Sequence, residues 1–404
     1  MKNMTLFPVL PFCKQMQTAT CQAVSGSCIP SPKAEAIPCI KAEKTGAFQQ
    51  LPMVMPSIDI LQSALKKAKK VGPTKGIANI AKRERNRGAK QLDTLMKELA
   101  VPLRTYTENF PNRKTLHPYE RSLVELTLGD GIYEEVLGKV DTVRKQVVSL
   151  GKEHASLCSK STTKKEAEER LNEGMKKLED IFNRGRSVVD DLLHIAKTLR
   201  GMPVVNLERP TVCLVGAPNV GKSSLVWELS SGKPEICHYP FTTRGILMGH
   251  ITLNYQHFQV TDTPGLLRRC DEDRNNLEKL TLAVLTNLPT AVLYVHDLTG
   301  ECGTSPTNQF IIYTEVKERF ADHLWVDVVS KCDLLSESPA PFVSELSEVG
   351  QIDLARYLAS GPAGAIHVSV KSGRGLDTLK DKVHEVLLGQ LSKIKSLKSD
   401  EDSP

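Results

Sequence analysis

The segment 216–223, with the sequence GAPNVGKS, restricts the possible folds of this chain more than any other stretch. It fits the pattern G-x-x-x-x-G-K-[ST] and follows a run typical of a buried strand, TVCLV at 211–215. Glycine lets such a loop wrap closely around phosphate oxygens, and the N-terminus of the next helix adds positive potential. The segment therefore predicts a nucleoside triphosphate site in an α/β domain, with a helix over 224–229.

Two side chains of this phosphate loop (216–223) have predicted chemical roles. Lys222 is expected to reach the terminal phosphates, and the Ser223 hydroxyl is expected to be a Mg²⁺ ligand. The remaining predicted nucleotide contacts are Gly216, Ala217, Pro218, Asn219, Val220, Gly221 and Ser224.

Two later segments carry the residues expected at the γ-phosphate. The switch segment, YPFTT at 239–243, is polar and turn-prone, and Thr243 would complete the Mg²⁺ shell only when a γ-phosphate is bound. A strand-like run over 257–261 ends in DTPG, where Asp262 would hold Mg²⁺ through water and the Gly265 N–H would contact the γ-phosphate. Together they predict a nucleotide-dependent switch.

Two further segments indicate that the base is guanine. The strand-like run 325–329 leads into SKCD, and the Asp333 carboxylate can accept hydrogen bonds from the N1–H and the exocyclic amine of guanine. Adenine does not offer that pair of donors. The run 365–368 leads into Ser369 and Val370, where a backbone N–H can meet the guanine carbonyl. An exposed turn is the alternative for Lys331 and Asp333, but the carboxyl edge of an open α/β sheet is where ligands bind.

Several longer motifs carry a family resemblance. Those in the GTPase part are PNVGKSS at 218–224, PFTT followed by GH at 249–250, DTPGL at 262–266, and AVLY at 291–294 leading through DL at 297–298 to CG at 302–303. Those in the upstream helical part are NFP at 109–111 and LHPY at 116–119. With these motifs the chain, from about Ser57 to Leu388, resembles the nucleolar GTP-binding protein (Nog) family of Obg- and HflX-type GTPases. The resemblance implies GTP hydrolysis and a role in assembling the large ribosomal subunit.

The chain departs from the family pattern at two positions. Ser330 stands where the family has Asn, and its shorter side chain reaches fewer partners; Val370 replaces Ala where only the backbone is needed. Leu266 also stands where Ras-type enzymes have a water-orienting Gln, so slow intrinsic hydrolysis is expected. In related GTPases the counterpart of Asn219 helps hold K⁺, although local stabilisation of the loop is an alternative role. The predicted catalytic residues are Asn219, Lys222, Thr243 and Gly265.

The apolar stripes upstream and the order of the nucleotide motifs predict an α + α/β architecture, in which an N-terminal helical bundle precedes a P-loop GTPase domain with a mostly parallel sheet flanked by helices. Leu92, Leu95, Met96 and Leu99 form one of the apolar stripes that indicate a packed bundle. The predicted divisions are a transit peptide (1–45), a linker (46–56), a helical domain (57–201) containing a basic arm (66–90), a GTPase domain (202–389) and a disordered tail (390–404).

The first 34 residues contain no acidic residue and many Ser, Thr, Pro and Ala, a composition that fits an organellar transit peptide. Mitochondrial presequences are usually Arg-rich, whereas the first arginine here is Arg83, so a chloroplast destination in a plant is favoured over a mitochondrion. A disordered tail of a nuclear or cytosolic protein, with a nucleolar location, is the alternative.

The basic arm has ten Lys and Arg residues and a single acid, Glu84. Charge runs are often only solvated surface, but this imbalance favours an anionic partner, because phosphate neutralisation releases counterions. With the family resemblance, the partner is expected to be rRNA in large ribosomal subunit precursors. Interrupting glycines such as Gly72, Gly76 and Gly88 suggest a partly extended arm. The predicted RNA-binding residues are Lys82, Arg83, Arg85 and Arg87.

Other classes of function are less consistent with the sequence. No apolar run approaches about 18 residues, so membrane insertion is not expected. Ten cysteines without a C-x-x-C pair argue against a zinc site. The expected cofactors are Mg²⁺, from the residues of the phosphate loop and the DTPG motif, and K⁺, by the resemblance. A docking factor that binds nucleotide weakly or does not hydrolyse it is the second hypothesis, with Ser330 as its main support.

Overall fold

The computed structural model of the protein describes residues 46–73, 76, 79–242, 245–335 and 348–401. The expected transit segment 1–45, Thr243 and the last three residues of the expected tail lie outside the described residues. The described residues from 46 onward form one compact unit, in which a helical bundle precedes a seven-stranded sheet. Within the described residues, no helix is long and apolar enough to cross a membrane.

Five helices form the bundle: α1 (Ser57–Lys69), α2 (Ile80–Asn109), α3 (Pro118–Leu128), α4 (Ile132–Lys160) and α5 (Lys164–Arg200). Their apolar stripes meet in one core, in which Leu92, Leu95 and Leu99 have no exposed surface. The segment 46–56, expected to be a linker, packs against this bundle because Phe48, Leu51 and Val54 are buried in its core.

Local signals in the sequence explain where several helices begin. α3 begins at Pro118, where the missing N–H of proline costs no helical hydrogen bond. Gly131, with a φ of 76°, precedes α4. Thr163 caps the start of α5, because its side chain accepts a hydrogen bond from the Glu166 N–H at 3.2 Å.

The basic arm is not one continuous helix, since α1 ends at Lys69 and α2 begins at Ile80, but the interruption expected at Gly88 is wrong. α2 begins at Ile80, after Asn79, whose side chain accepts a hydrogen bond from the Lys82 N–H at 3.0 Å. Gly88 lies inside this helix, and a Cβ atom there would stand only 2.7 Å from the Cys158 Sγ. Glycine at this position therefore permits close helix packing and does not break the helix.

The second part of the compact unit is a sheet flanked by helices. Its strands are β1 (Thr211–Val215), β2 (Glu235–Cys237), β3 (Ile246–Leu253), β4 (Gln256–Asp262), β5 (Thr290–His296), β6 (Trp325–Val329) and β7 (Ile366–His367). Its helices are α6 (Lys222–Leu229), α7 (Asn276–Asn287), α8 (Pro306–Arg319), α9 (Glu348–Ser360) and α10 (Leu376–Glu401).

The strand order is β2-β3-β4-β1-β5-β6-β7. The five strands from β4 to β7 in this order are parallel, and β2 and β3 are antiparallel additions at one edge. β1 and β5 are buried along their whole length, as central strands of a covered sheet are. Because β1, β4, β5 and β6 are parallel, the loops that follow them converge at one edge, which carries the described residues of the predicted nucleotide site.

Candidate nucleotide-binding site

The phosphate loop joins β1 to α6 and depends on its glycines. Gly216 and Gly221 have φ angles of 147° and 98°, which favour glycine, and Asn219 also has a positive φ, 60°. A Cβ atom at Gly216 would stand 2.4 Å from the Val295 carbonyl oxygen, so the loop packs directly on the end of β5. The backbone is thus folded back on itself before α6, as a phosphate cradle requires.

Lys222 begins α6 and is only 6% exposed. Its Nζ donates to the carbonyl oxygens of Ala217 at 2.7 Å and Gly216 at 3.2 Å. Burial lowers the pKa of Lys222 to about 8, and the nearby Asp262 carboxylate partly opposes this effect. The ammonium is therefore held inside the loop by neutral carbonyls, where an anionic ligand would stabilise its charge.

Ser223 and Asp262 lie side by side at the predicted Mg²⁺ position. The Ser223 hydroxyl donates to Asp262 Oδ2 at 2.5 Å, and burial raises the pKa of Asp262. Asp262 Oδ1 is buried and has no hydrogen-bond partner among the described residues. An oxygen donor set with one unused carboxylate oxygen fits Mg²⁺.

The segment after β4 is fixed from both sides. Leu266 is fully buried and its N–H donates to the Gly216 carbonyl at 3.1 Å, so its side chain points into the core. The Leu267 N–H donates to Glu278 Oε1 at 2.9 Å, and Glu278 also forms a capping box with Asn275 at the start of α7. Glu278 was not identified from the sequence, although the N-x-x-E pattern at 275–278 is a recognisable cap signal.

The loops enclose a phosphate cavity of about 620 Å³, whose lining includes Pro218, Asn219, Lys222, Ser223, Asp262 and Gly265. A Cβ atom at Gly265 would stand 2.4 Å from the Pro218 nitrogen, so only glycine allows this approach. A base cavity of about 350 Å³ is lined by Val220, Ser330, Lys331, Asp333, Ser369 and Val370, among others. Gly221 and Ser224 line both cavities, which are therefore neighbours.

Two loops position the predicted base-reading groups. The Cys332 N–H donates to the Val368 carbonyl at 3.1 Å, which ties the loop after β6 to the loop after β7. A hydrogen bond with Ser369, and to a lesser extent the charge of Lys371, lowers the pKa of Asp333. The carboxylate is thus kept ionised at the mouth of the cavity, as an acceptor must be.

Ser330 makes the link between the base loop and the phosphate loop despite its short side chain. It is buried, and its Oγ lies 2.6 Å from the Val220 carbonyl oxygen and 2.9 Å from that of His296. One hydroxyl hydrogen can be donated to either carbonyl. Ser330 is therefore a weaker argument for the hypothesis that the protein binds nucleotide only weakly.

Lys331 is anchored by Asp297, a residue to which the sequence motifs assigned no role. The backbone of Lys331 has a φ of 54°, and its Nζ donates to Asp297 Oδ2 at 2.6 Å. Asp297 follows β5 and has no exposed surface.

The helical bundle reaches the switch segment through one buried contact. The hydroxyl of Tyr119 in α3 lies 3.0 Å from the hydroxyl of Tyr239, and both side chains are buried. On the same side, Asn276 Nδ2 at the start of α7 donates to the Leu126 carbonyl of α3 at 3.1 Å. α3 thus contacts both the start of the switch segment and the helix after the DTPG motif.

The four predicted RNA-binding residues lie together on the first turns of α2, outside the nucleotide cavities. Lys82 is exposed, while Arg83 and Arg87 lie beside Glu84 at 4.0 Å and 3.5 Å. Arg85 donates to the Ser161 carbonyl at 2.8 Å and so connects α2 to the end of α4. The cluster is positively charged, but Arg85 has a structural partner.

Two models of one protein family match this chain. The model described as the NOG1 N-terminal helical domain matches residues 48–206, and the model described as nucleolar GTP-binding protein 1 (NOG1) matches residues 276–333. A model described as ferrous iron transport protein B matches residues 210–300, which include the phosphate loop.

Curated relatives carry the same family name. Nucleolar GTP-binding protein 1 of Drosophila melanogaster is 26% identical over 297 residues, which are 73% of this chain and 45% of the relative. The protein of that name from Arabidopsis thaliana is 27% identical over 299 residues, 72% of this chain and 44% of the relative. The chain therefore spans less than half the length of these relatives.

Proposed function

Because the chain belongs to the nucleolar GTP-binding protein 1 family, we propose that it is a GTP-binding and GTP-hydrolysing switch that docks on large ribosomal subunit precursors. One observation carries the nucleotide part of this proposal: a phosphate cavity and a base cavity adjoin at the carboxyl edge of the parallel strands. The helical domain (57–201) supplies the contacts with the particle, and the GTPase domain (202–389) supplies the switch.

In the proposed complex, the phosphates lie in the phosphate loop and the base lies between the loops after β6 and β7. Lys222 donates to the terminal phosphates, for which it exchanges its carbonyl partners. Asp333 accepts the two guanine donors, and backbone N–H groups at Ser369 and Val370 meet the guanine carbonyl. The short link from Ser330 to Val220 keeps the base and phosphate loops in register.

Ser223 and Asp262 would hold Mg²⁺, and Thr243 would join them when a γ-phosphate is present. The ion would neutralise charge on the β- and γ-phosphates. Ser223 and Asp262 already form the fitting oxygen pair, with Asp262 Oδ1 still without a partner among the described residues.

In the proposed reaction, position 266 has no side chain that could orient the attacking water. Hydrolysis therefore depends on groups of the surrounding loops that contact the phosphates. Leu266 is buried in the core, so slow intrinsic turnover follows. Asn219 is exposed at the phosphate cavity, where its side-chain carbonyl would help hold K⁺; that ion would add positive charge near the β,γ-bridge. Gly265 lines the same cavity and offers its N–H to the γ-phosphate.

The proposed destination is the chloroplast, with residues 1–45 as a transit peptide, because the first 34 of them lack acids and the whole segment lacks arginine. The nucleolus is the alternative, since the curated relatives are named nucleolar proteins. Imaging of the tagged chain with and without residues 1–45 distinguishes the two: loss of chloroplast signal in the shortened chain supports the first, and a nucleolar signal in both supports the second.

Single-turnover GTP hydrolysis in matched K⁺ and Na⁺ buffers tests the proposed reaction. We expect faster hydrolysis in K⁺, loss of that preference in Asn219→Ala, and further stimulation by large-subunit particles. Identical rates in both buffers, with and without particles, contradict the ion-assisted mechanism. GTP binding without turnover under any of these conditions favours the docking-factor alternative, and GTP-dependent co-sedimentation with large-subunit precursors tests the docking common to both.

A further inference from the structure

We propose that Asp297 is a positioning residue for guanine nucleotide binding, which acts by fixing the Lys331 side chain along the wall of the base cavity. The inference rests on the proposed function, because it concerns the same nucleotide site. Asp297 itself does not line either nucleotide cavity. Its effect therefore passes through Lys331, which does line the base cavity together with Asp333 and Ser369.

The Lys331 side chain is directed away from solvent by this contact. Its Nζ lies 2.6 Å from Asp297 Oδ2, and the side chain is 25% exposed although lysine is usually a surface residue. Its backbone φ of 54° is uncommon for a residue other than glycine. The Lys331 backbone conformation and the ion pair with Asp297 together fix the Lys331 side chain along the cavity wall.

Asp297 is held in place by hydrogen bonds from groups outside the nucleotide cavities. Its Oδ1 accepts hydrogen bonds from the Thr299 N–H at 2.9 Å and the Thr299 hydroxyl at 2.5 Å. Its backbone is clamped by the amide of Gln309, which accepts from the Asp297 N–H at 2.9 Å and donates to the Asp297 carbonyl at 2.7 Å. Asp297 and Gln309 are 0% and 1% exposed, so water does not compete for the carboxylate that accepts from Lys331.

This arrangement increases affinity by ordering the cavity wall in advance. A free lysine side chain has much rotamer freedom, and a purine that packs on its methylene stem must remove that freedom on binding. Because the ammonium is anchored on Asp297, folding already orders the stem, and nucleotide binding does not have to supply that ordering. Asp333 reads the base edge, while the Lys331 stem supports the ring face.

A double-mutant cycle tests the proposal through the dissociation constant of fluorescent GDP. Asp297→Asn preserves size and an acceptor for Thr299 but removes the charge; Lys331→Met preserves an unbranched stem but removes the ammonium. We expect affinity about tenfold weaker in Asp297→Asn, the scale of removing one charge-assisted hydrogen bond. The double variant should bind as weakly as Lys331→Met alone, because Asp297 acts only through Lys331.

Asp327→Asn is the matched control. Asp327 is a 10% exposed acid on β6 that accepts from Lys317 Nζ at 3.2 Å, and it does not line the base cavity. Its variant should lose stability but retain wild-type affinity for GDP. Melting temperatures of all variants separate loss of folding from loss of binding.

Two results overturn the proposal when the wild-type protein binds GTP: unchanged affinity in Asp297→Asn, or additive effects of the two substitutions. If Asp297→Asn does not fold, Thr299→Val replaces it in the cycle, with an expected weakening of about threefold that is absent in the Lys331→Met background. Failure of the folded wild-type protein to bind GTP at all contradicts the proposed function itself and is thus distinguishable.

Discussion

At the scale of single residues, Lys222 makes nucleotide binding sensitive to pH. Burial lowers its pKa to about 8, so the ammonium that should contact phosphate is lost as the pH rises through that value. We expect GDP affinity to fall by up to about tenfold per pH unit above pH 8. Titration of GDP binding between about pH 7 and about pH 9.5 measures this, and a constant affinity across the range contradicts it.

Lys222 has the opposite effect on the stability of the protein without nucleotide, which should increase with pH above about pH 8. The folded state releases the Lys222 proton at about pH 8, whereas an unfolded chain keeps it up to its ordinary pKa of about 10.4. Since the unfolded state binds more protons in this window, the free energy of unfolding contributed by Lys222 rises with pH there. Bound phosphate should remove this gain, because it favours the charged form.

At the scale of elements, the start of α2 is the predicted RNA-binding surface. Replacing Lys82 and Arg83 with Ala should weaken rRNA binding and reduce the salt slope by about 0.9 for each duplex phosphate that is no longer neutralised. Arg85 is left in place because it donates to the Ser161 carbonyl and holds α2 against α4. GTP affinity should not change, because α2 lies outside both nucleotide cavities.

Replacing Lys164 and Lys165 with Ala is the control for net charge. These exposed lysines on α5 lie 3.6 Å and 4.0 Å from Glu168 and Glu169, so their replacement removes the same charge from a balanced face. Binding to rRNA measured over a salt series should change only in the α2 variant. An equal change in both variants would mean that overall charge, and not this helix, sets the affinity.

The elements also show how far sequence patterns reach. β1 and β6 coincide with the predicted runs 211–215 and 325–329, because a buried central strand is a short continuous apolar run followed by a polar motif. The interruption expected at Gly88 is wrong, since glycine is typical of a break in sequence but Gly88 allows close helix packing instead. Hydrophobic periodicity predicts which face of a helix or strand is buried, but it does not predict which element packs against that face.

Pairings between distant residues are the part of the candidate site that could not be predicted from the sequence. Asp297 and Lys331 are 34 residues apart, and Tyr119 and Tyr239 are 120 residues apart. No local pattern pairs such residues, since the pairing is made by strand order and by docking of the bundle. The motifs themselves, by contrast, lie at the expected carboxyl edge because each follows its own strand.

At the scale of the whole molecule, α3 contacts the switch segment through the hydroxyls of Tyr119 and Tyr239. Tyr119→Phe removes the hydroxyl that meets Tyr239, and we expect GDP to dissociate several-fold faster, since one buried hydrogen bond contributes about 1 kcal/mol. Tyr106→Phe is the matched control, because its hydroxyl accepts from the Met55 N–H at 3.0 Å within the bundle. Stopped-flow dissociation rates that change equally in both variants would exclude a specific coupling through α3.

Competition binding tests most directly whether the base cavity selects guanine through Asp333. Dissociation constants for GTP, ATP and xanthosine triphosphate are compared in the wild-type protein and in Asp333→Asn, with Lys222→Ala as the variant expected to lose triphosphate binding. We predict a strong preference of the wild type for GTP over ATP. We also predict that Asp333→Asn shifts preference from GTP toward the xanthine nucleotide, whose extra carbonyl reverses the hydrogen-bond demand. Equal affinities of the wild type for GTP and ATP would contradict the claim.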